Sequence, residues 1–265
     1  MKELKSYFEG LLDRTSVKVK NIDLIPDIIE QFLKENYDIH GNYTINKTKS
    51  RYIVDVKGTV RVKNNHILSL TNEYFEFGSI SREFNCTYCN SLTTLEGAPK
   101  EVGTNFYCNS CQSLKSLKGA PKKVGCNFNC SYCEKLTSLE GAPQKVGTTF
   151  YCSNCDSIKS LEGAPKEVGY DFYCSFCDSL KSLEGAPKKI GNNFDCVGCN
   201  SLTTLEGAPK EVGNDFCCSF CKSLKSLKGA PEKIGGEFDC RNCYVKFKIE
   251  DVTRYTKMDI GNICT

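Results

Sequence analysis

Cys-x-x-Cys pairs recur along this chain at a constant spacing of 22 residues. A fixed period of this length is typical of solenoids, in which each unit buries its apolar side chains against the neighbouring units. The sequence therefore predicts an elongated stack of coils. In such a stack, regularly spaced cysteines can be core residues as well as metal ligands or disulfide partners. The eight pairs are Cys86/Cys89, Cys108/Cys111, Cys130/Cys133, Cys152/Cys155, Cys174/Cys177, Cys196/Cys199, Cys218/Cys221 and Cys240/Cys243.

Each 22-residue unit predicts one strand and two bends. Its phenylalanine and first cysteine are two residues apart, so both point inward from a strand. The chain then turns, which brings the second cysteine inward, and two leucines follow, at Leu92 and Leu95 in the first unit. Gly-Ala-Pro makes the next bend, because glycine tolerates positive φ and proline fixes φ. Stacking at ~4.8 Å predicts a parallel sheet about 34 Å long from Phe84 to Phe238.

Residues 1–59 carry no repeat and are predicted to form an α+β N-terminal cap. A half-buried strand is expected where Tyr52, Val54 and Val56 alternate with polar residues, with Gly58 as a turn after it. A helix is predicted to begin at Pro26, where a missing N–H costs nothing. Its apolar face is Ile28, Ile29, Phe32 and Leu33. An earlier helix is predicted from the spacing of Leu4, Phe8, Leu11 and Leu12.

Residues 60–243 are predicted to form the solenoid, with a degenerate first coil at 60–83 and regular units from residue 84. In the first coil Asn65 stands where later units have their second cysteine, and residues 71–83 are predicted as a turn. After Cys243 the pattern stops. Residues 244–265 then predict a short C-terminal cap, with a helix over 250–255 and a closing strand over 260–264. Atypical ends are expected because terminal units must cover the ends of the stack.

Sixteen of the 19 cysteines belong to the pairs, and they admit three interpretations. Cys-x-x-Cys is a common half-site for zinc. Disulfides within a pair are disfavoured, because residues i and i+3 of a strand lie ~10 Å apart. We favour buried, protonated thiols that act as small hydrophobic groups. Zinc would require neighbouring units to share ligands, and an apolar interior disfavours thiolate. No metal or other cofactor is predicted.

The unit resembles a known repeat family. The segment from Val60 to Leu70 matches the pattern L-x-L-x-x-N-x-L-x-x-L, and the phrase Leu-Glu-Gly-Ala-Pro-Lys-Glu-Val-Gly recurs. On these motifs, roughly residues 60–264 resemble cysteine-containing leucine-rich repeats, in particular the short bacterial and phage type. The resemblance implies a leucine-rich-repeat-like solenoid with one parallel β-sheet. It also implies a scaffold that binds other molecules, such as an inhibitor or decoy directed at a host protein.

The outward positions beside each phenylalanine predict a binding face. Extended sheet faces of solenoids are used for binding, and tyrosine supplies contact area at low entropic cost. We predict a protein partner, with a small molecule as the alternative. Nucleic acid is disfavoured by the net charge of only +3 and by the lack of arginines or aromatic residues among the lysines, and no membrane partner is predicted. The candidate binding residues are Tyr107, Tyr151, Tyr173, Asp171, Asp195, Asp215 and Asp239.

Two further sets of equivalent positions recur with the same 22-residue period, and each set would form a column along the stack. Lysines at the Pro-x-x-Val corner are interpreted as a solvated face, and an edge that binds nucleic acid or an acidic protein is the alternative. The residue directly before the second cysteine alternates between aromatic and small. We favour rings packed over their neighbours, with a partly exposed hydrophobic contact edge as the alternative. This column is Tyr88, Ser110, Tyr132, Asn154, Phe176, Gly198, Phe220 and Asn242.

No catalytic motif accompanies these columns. The only histidines, His40 and His66, lie outside the regular array, so a non-enzymatic protein is predicted. The N-terminus lacks the apolar run of a signal peptide, and no stretch approaches the ~20 apolar residues of a membrane span. Reduced thiols and a cytoplasmic location are therefore expected. If zinc is bound instead, the chain would be a structural metal protein that uses its Cys-x-x-Cys pairs.

Overall fold

The computed structural model describes residues 25–257 and 260–265, which form a β-solenoid of about ten turns with a helix near the N-terminus. Each turn of the solenoid is one coil. The helix predicted from Leu4, Phe8, Leu11 and Leu12 lies outside the described residues.

The solenoid is preceded by a helix and a hairpin. Helix α1, Ile25–Asn36, begins beside Pro26 as predicted and buries Ile29 and Leu33. Strand β1, Tyr37–Lys47, pairs antiparallel along its whole length with strand β2, Tyr52–Val62. The sequence analysis missed β1, because most of its residues are exposed or half-buried and give no clear alternation. In β2, by contrast, Tyr52, Val54 and Val56 are buried as predicted.

The turn predicted at Gly58 is wrong, since β2 continues through it to Val62. Gly58 lies opposite Gly41 of β1. A Cβ on Gly58 would lie 1.9 Å from the carbonyl oxygen of His40. Glycine is therefore needed at Gly58 for the close approach of two backbones, not for a change of chain direction.

The segment predicted as a turn at 71–83 contains strand β3, Phe75–Ile80, so that prediction is wrong for these six residues. Buried Phe75 and Phe77 place β3 against β2 in a parallel pair. Asn65, aligned above with the second cysteine, is exposed instead of buried. The reason is length: Val60 pairs with Phe84, so this coil spans 84 − 60 = 24 residues and its turn is out of step with the later ones.

Each regular coil contains two strands of only two residues. The Phe strands (β4, β6, β8, β10, β12, β14, β16 and β18) are Phe84–Asn85, Phe106–Tyr107, Phe128–Asn129, Phe150–Tyr151, Phe172–Tyr173, Phe194–Asp195, Phe216–Cys217 and Phe238–Asp239. The Val strands (β5, β7, β9, β11, β13, β15 and β17) are Glu101–Val102, Lys123–Val124, Lys145–Val146, Glu167–Val168, Lys189–Ile190, Glu211–Val212 and Lys233–Ile234. Each strand pairs in parallel with its equivalent in the next coil, as Phe150 does with Phe172. The sequence predicted the Phe strands and not the Val strands.

The core is built from columns of identical residues. The phenylalanines from Phe84 to Phe238 are fully buried, and their rings stack with centroids 5.2 to 5.4 Å apart. Both cysteines and both leucines of the regular units are also buried, as predicted, apart from the half-buried Cys243. The Gly-Ala-Pro bend has the expected positive φ, for example 92° at Gly119. Stacking thus covers apolar side chains that no single coil could bury alone.

The C-terminal segment closes the Phe ladder. Helix α2, Ile249–Thr253, buries Val252, and a short 3-10 helix spans Ile260–Asn262. Strand β19, Ile263–Cys264, pairs in parallel with Phe238–Asp239. The helix and strand predicted for this segment are therefore present, and both are shorter than expected.

Candidate interaction surface

The column directly before each phenylalanine forms a side-chain ladder between coils. Five of its members accept a hydrogen bond from the backbone N–H of the same position in the next coil. The Asn127 N–H donates to Asn105 Oδ1 at 3.2 Å, and the Glu237 N–H donates to Asp215 Oδ1 at 2.8 Å. Because such bonds satisfy outward backbone donors, they stabilise the stacking. The accepting residues are Asn105, Asn127, Asp171, Asn193 and Asp215.

Asp171 is the most enclosed of the predicted binding residues, with 7% of its surface exposed. Its Oδ1 accepts hydrogen bonds from Asn192 Nδ2 at 2.8 Å and from the Asn193 N–H at 3.0 Å. The Thr149 hydroxyl donates to its Oδ2 at 3.5 Å. The carboxylate of Asp171 is therefore held in place by the protein itself. Because it is almost fully enclosed, it offers little surface for direct contact with a partner.

The aspartates directly after phenylalanine are also held by local hydrogen bonds. Asp195 Oδ1 accepts from the Val197 N–H at 2.9 Å and from the Ser175 hydroxyl. Asp239 Oδ1 accepts from both the backbone N–H and the Nε of Arg241 at 3.0 Å. Partial burial works to raise the pKa of Asp239, but the hydrogen bonds from Arg241 outweigh it and lower that pKa below its ordinary value. These carboxylates are thus held in position by the protein's own hydrogen bonds.

Tyr107, Tyr151 and Tyr173 are half-buried in the same column as Asp195. The rings of Tyr151 and Tyr173 stack with centroids 5.3 Å apart and an interplanar angle of 16°. Burial raises the pKa of Tyr107 and Tyr173, so both phenols are neutral near pH 7. The structure brings Tyr151, Tyr173, Asp171 and Asp195 into neighbouring coils. Asp215 and Asp239 lie further toward the C-terminus, and Tyr107 is two coils from Tyr151.

The turn between the two cysteines exposes aromatic rings that the sequence analysis assigned to packing. Each of the eight residues of this column has a positive φ, from 56° to 68°. Phe176 does pack over Gly198, where an added Cβ would lie 2.6 Å from its ring carbon Cδ1. The four rings of the column, Tyr88, Tyr132, Phe176 and Phe220, are nevertheless 52% to 58% exposed. Packing therefore covers only part of each ring, and this column is a surface feature that the sequence analysis did not select.

Lysine and glutamate are mixed along the Val strands, and several of them form ion pairs between coils, although Lys123 lies beside Lys145. Lys145 Nζ lies 2.8 Å from Glu167 Oε2, and Lys189 Nζ lies 3.1 Å from Glu211 Oε2. These ion pairs are exposed and add little to stability, but they limit repulsion between stacked lysines. An open groove of about 680 Å³ lies along this corner, between residues 145 and 191.

The cysteine pairs form a column of thiols in the interior. From Cys111 onward, the thiol of the second cysteine donates to the carbonyl of the first cysteine one coil earlier, as Cys133 does to Cys108 at 3.3 Å and Cys155 to Cys130 at 3.2 Å. Burial raises the pKa of Cys108 and Cys130 far above the ordinary value, which favours the protonated thiol. Within the residues that the structure describes, no group of three or more His, Cys, Asp or Glu side chains is arranged to hold a metal ion. All 19 cysteines are free thiols.

Across residues 25–257 and 260–265, no helix has the length and apolar character needed to cross a membrane. The chain matches no protein-family model, no curated protein and no solved structure. The columns on the outside of the coils are therefore the basis for any statement about function.

Proposed function

We propose that this protein is a non-enzymatic interaction scaffold that presents the outer face of its Phe strands to a protein partner. The observation that carries the proposal is the stacked pair Tyr151–Tyr173 on a rigid ladder of coils. Exposed parts of half-buried tyrosines give large contact area at low entropic cost, since their rotamers are already restricted. Tyr107 extends the same column toward the N-terminus.

The carboxylates around these rings define what the face recognises. Asp171, Asp195, Asp215 and Asp239 are fixed by hydrogen bonds from their own neighbourhood. Their charges therefore need no ordering when a partner arrives, which favours a partner with basic or hydrogen-bond-donating groups. A small ligand with such donors is the alternative occupant. Nucleic acid is disfavoured, because its phosphates would meet this acidic face.

The proposal includes a class and a location for the protein. The recurring Leu-Glu-Gly-Ala-Pro phrase and the 22-residue period support a cysteine-containing leucine-rich-repeat protein of the bacterial or phage type. Interaction with a host protein fits that class. Nineteen free cysteines, most of them buried, support a reducing compartment such as the cytoplasm.

Replacing both Tyr151 and Tyr173 with alanine is expected to abolish capture of the partner. The lost ring stack is worth about 0.5–1.5 kcal/mol, so melting should fall by only a few degrees. The measurement is affinity purification from native cells with mass spectrometry, beside a thermal melt of each variant. Tyr132→Asn, on the neighbouring column, is the matched control and should keep the partner. Retention of every captured protein by the double variant would reject this face as the binding site.

A further inference from the structure

Four exposed rings form a regular stripe along the outside of the solenoid. This aromatic stripe consists of Tyr88, Tyr132, Phe176 and Phe220, one ring in every second coil. Each ring is more than half exposed, at 58%, 56%, 53% and 52% in that order. Aligned exposed rings on the outside of a protein mark an interaction surface more often than isolated ones do.

The rings occupy a backbone position that does not favour them. Tyr132 and Phe176 have φ of 60° and 56°, in the left-handed region that glycine and asparagine tolerate best. The coils between the rings use Ser110, Asn154 and Gly198 at this same turn. The turn therefore forms without an aromatic residue, and the rings bring conformational cost with only partial burial. Strain of this kind is a reason to look for a function of the side chain.

The spacing of the stripe matches one regular peptide conformation. Rings in every second coil are about 9.6 Å apart at the usual distance between strands. A polyproline II helix has three residues per turn and rises ~3.1 Å per residue, so one turn is about 9.3 Å. Every third side chain of such a peptide therefore points the same way and meets one ring. Aromatic grooves are a recurrent binding site for this conformation because it is already ordered before binding.

The charged residues beside the aromatic stripe indicate which side chains a bound peptide would carry. Asp156 and Asp178 are exposed, two residues beyond the ring column. Asp178 Oδ1 accepts a hydrogen bond from Asn200 Nδ2 at 2.8 Å, which holds this carboxylate in place. The same column has Glu134 in the coil before Asp156 and Lys222 near its C-terminal end, so its central members are acidic. Lys135, Lys159 and Lys181 lie outside this column, one to three residues further along their coils. A cation over an exposed ring and near a carboxylate gains from both.

A second copy of the chain fits this surface poorly. An antiparallel two-fold contact would interleave the rings, but it would also place Asp156 and Asp178 of one copy against the same residues of the other. A parallel two-fold contact would set each ring against its equivalent ring, and it would likewise place each carboxylate beside the stripe against its own equivalent. The occupant is therefore a different chain of opposite charge.

We propose that the aromatic stripe binds an extended, proline-rich peptide segment in the polyproline II conformation, with arginine or lysine at every third position. Each cation would lie on one ring, and the central ones would also approach Asp156 or Asp178. This surface is separate from the Tyr151–Tyr173 face, so each proposal can fail without the other.

The test is fluorescence anisotropy with a labelled twelve-residue peptide of four Arg-Pro-Pro repeats. A second peptide of the same composition, with its four arginines together at one end, controls for charge alone. Binding of the spaced peptide is expected to weaken at least tenfold in the variant Tyr132→Asn/Phe176→Asn. Asparagine is chosen because Asn154 and Asn242 already occupy this turn, so the variant should fold. Tyr151→Ala/Tyr173→Ala should bind like the unmodified chain.

Several results would overturn the proposal. These are absence of binding, equal binding of the two peptides, or unchanged binding by the asparagine double variant while it melts normally. Sedimentation that shows a dimer in the unmodified chain and a monomer in that variant would assign the stripe to a second copy instead. Asp156→Asn/Asp178→Asn should weaken the spaced peptide severalfold and reduce its salt dependence, which a purely apolar contact would not do.

Discussion

Replacing Gly169 with alanine is expected to destabilise the solenoid by at least about 3 kcal/mol and to lower the melting temperature by about 10 °C. A Cβ on Gly169 would lie 2.1 Å from the carbonyl oxygen of Gly147, one coil earlier. The atom in the way belongs to the backbone, so no side-chain rotation relieves the clash, and the two coils must separate. Circular dichroism during heating measures the effect.

The close approach of a glycine to a carbonyl oxygen one coil earlier recurs along the stack, so alanine substitutions at the equivalent glycines are expected to be destabilising as well. Equivalent glycines such as Gly125, Gly191 and Gly213 would place a Cβ 1.9 to 2.2 Å from the preceding carbonyl oxygen. Gly261→Ala is the matched control, since nothing lies within 4 Å of its added Cβ, and it should melt like the unmodified chain. Normal melting of the Gly169 variant would mean that the coils are not packed at this distance.

Raising the pH above about 9 is expected to unfold the protein within roughly one pH unit. Burial raises the pKa of Cys152, Cys174 and Cys196 far above the ordinary value of 9.0. A group whose pKa is raised by folding stabilises the native state fully below its unfolded pKa, and this stabilisation is lost as the pH rises. Each such thiol therefore lowers the free energy of unfolding by about 1.4 kcal/mol per pH unit above 9. Several together exceed a typical total stability of about 5–15 kcal/mol.

The alkaline transition is followed by circular dichroism and by the ultraviolet absorbance of thiolate in one sample. Both signals should change in a single step, because the ladder thiols ionise only when the coils open. An ordinary cysteine titration that precedes any loss of native structure would show that the thiols already face water.

The interior of the solenoid was predictable because its period is constant. Phe150 and Cys152 are two residues apart in a strand, and the same pair returns every 22 residues, so the inward face follows from the spacing alone. The N-terminal hairpin was not predictable in this way. Gly41 and Gly58 allow the backbones of two strands to approach closely. In a sequence, a single glycine indicates a turn as readily as it indicates such a close approach.

The outer face was harder to predict, because its hydrogen bonds join residues 22 apart. Asp171 and Asp215 were predicted as binding residues, yet each accepts a hydrogen bond from a backbone N–H of the next coil. The signal was present in the set of side chains at that column, since asparagine, threonine and aspartate all offer an acceptor at similar reach. For the aromatic stripe, the alternation of large and small residues was visible, but the exposure of Tyr132 and Phe176 depends on how far each ring leans over the next coil.

The central claim is that the cysteine pairs form a buried spine of thiols, and alkylation of the native protein followed by mass spectrometry tests it most directly. Labelling under reducing, non-denaturing conditions is expected only at the half-buried Cys126, Cys217, Cys243 and Cys264, while the other 15 cysteines react only after denaturant is added. Rapid labelling of the Cys-x-x-Cys pairs throughout the native chain would contradict the account.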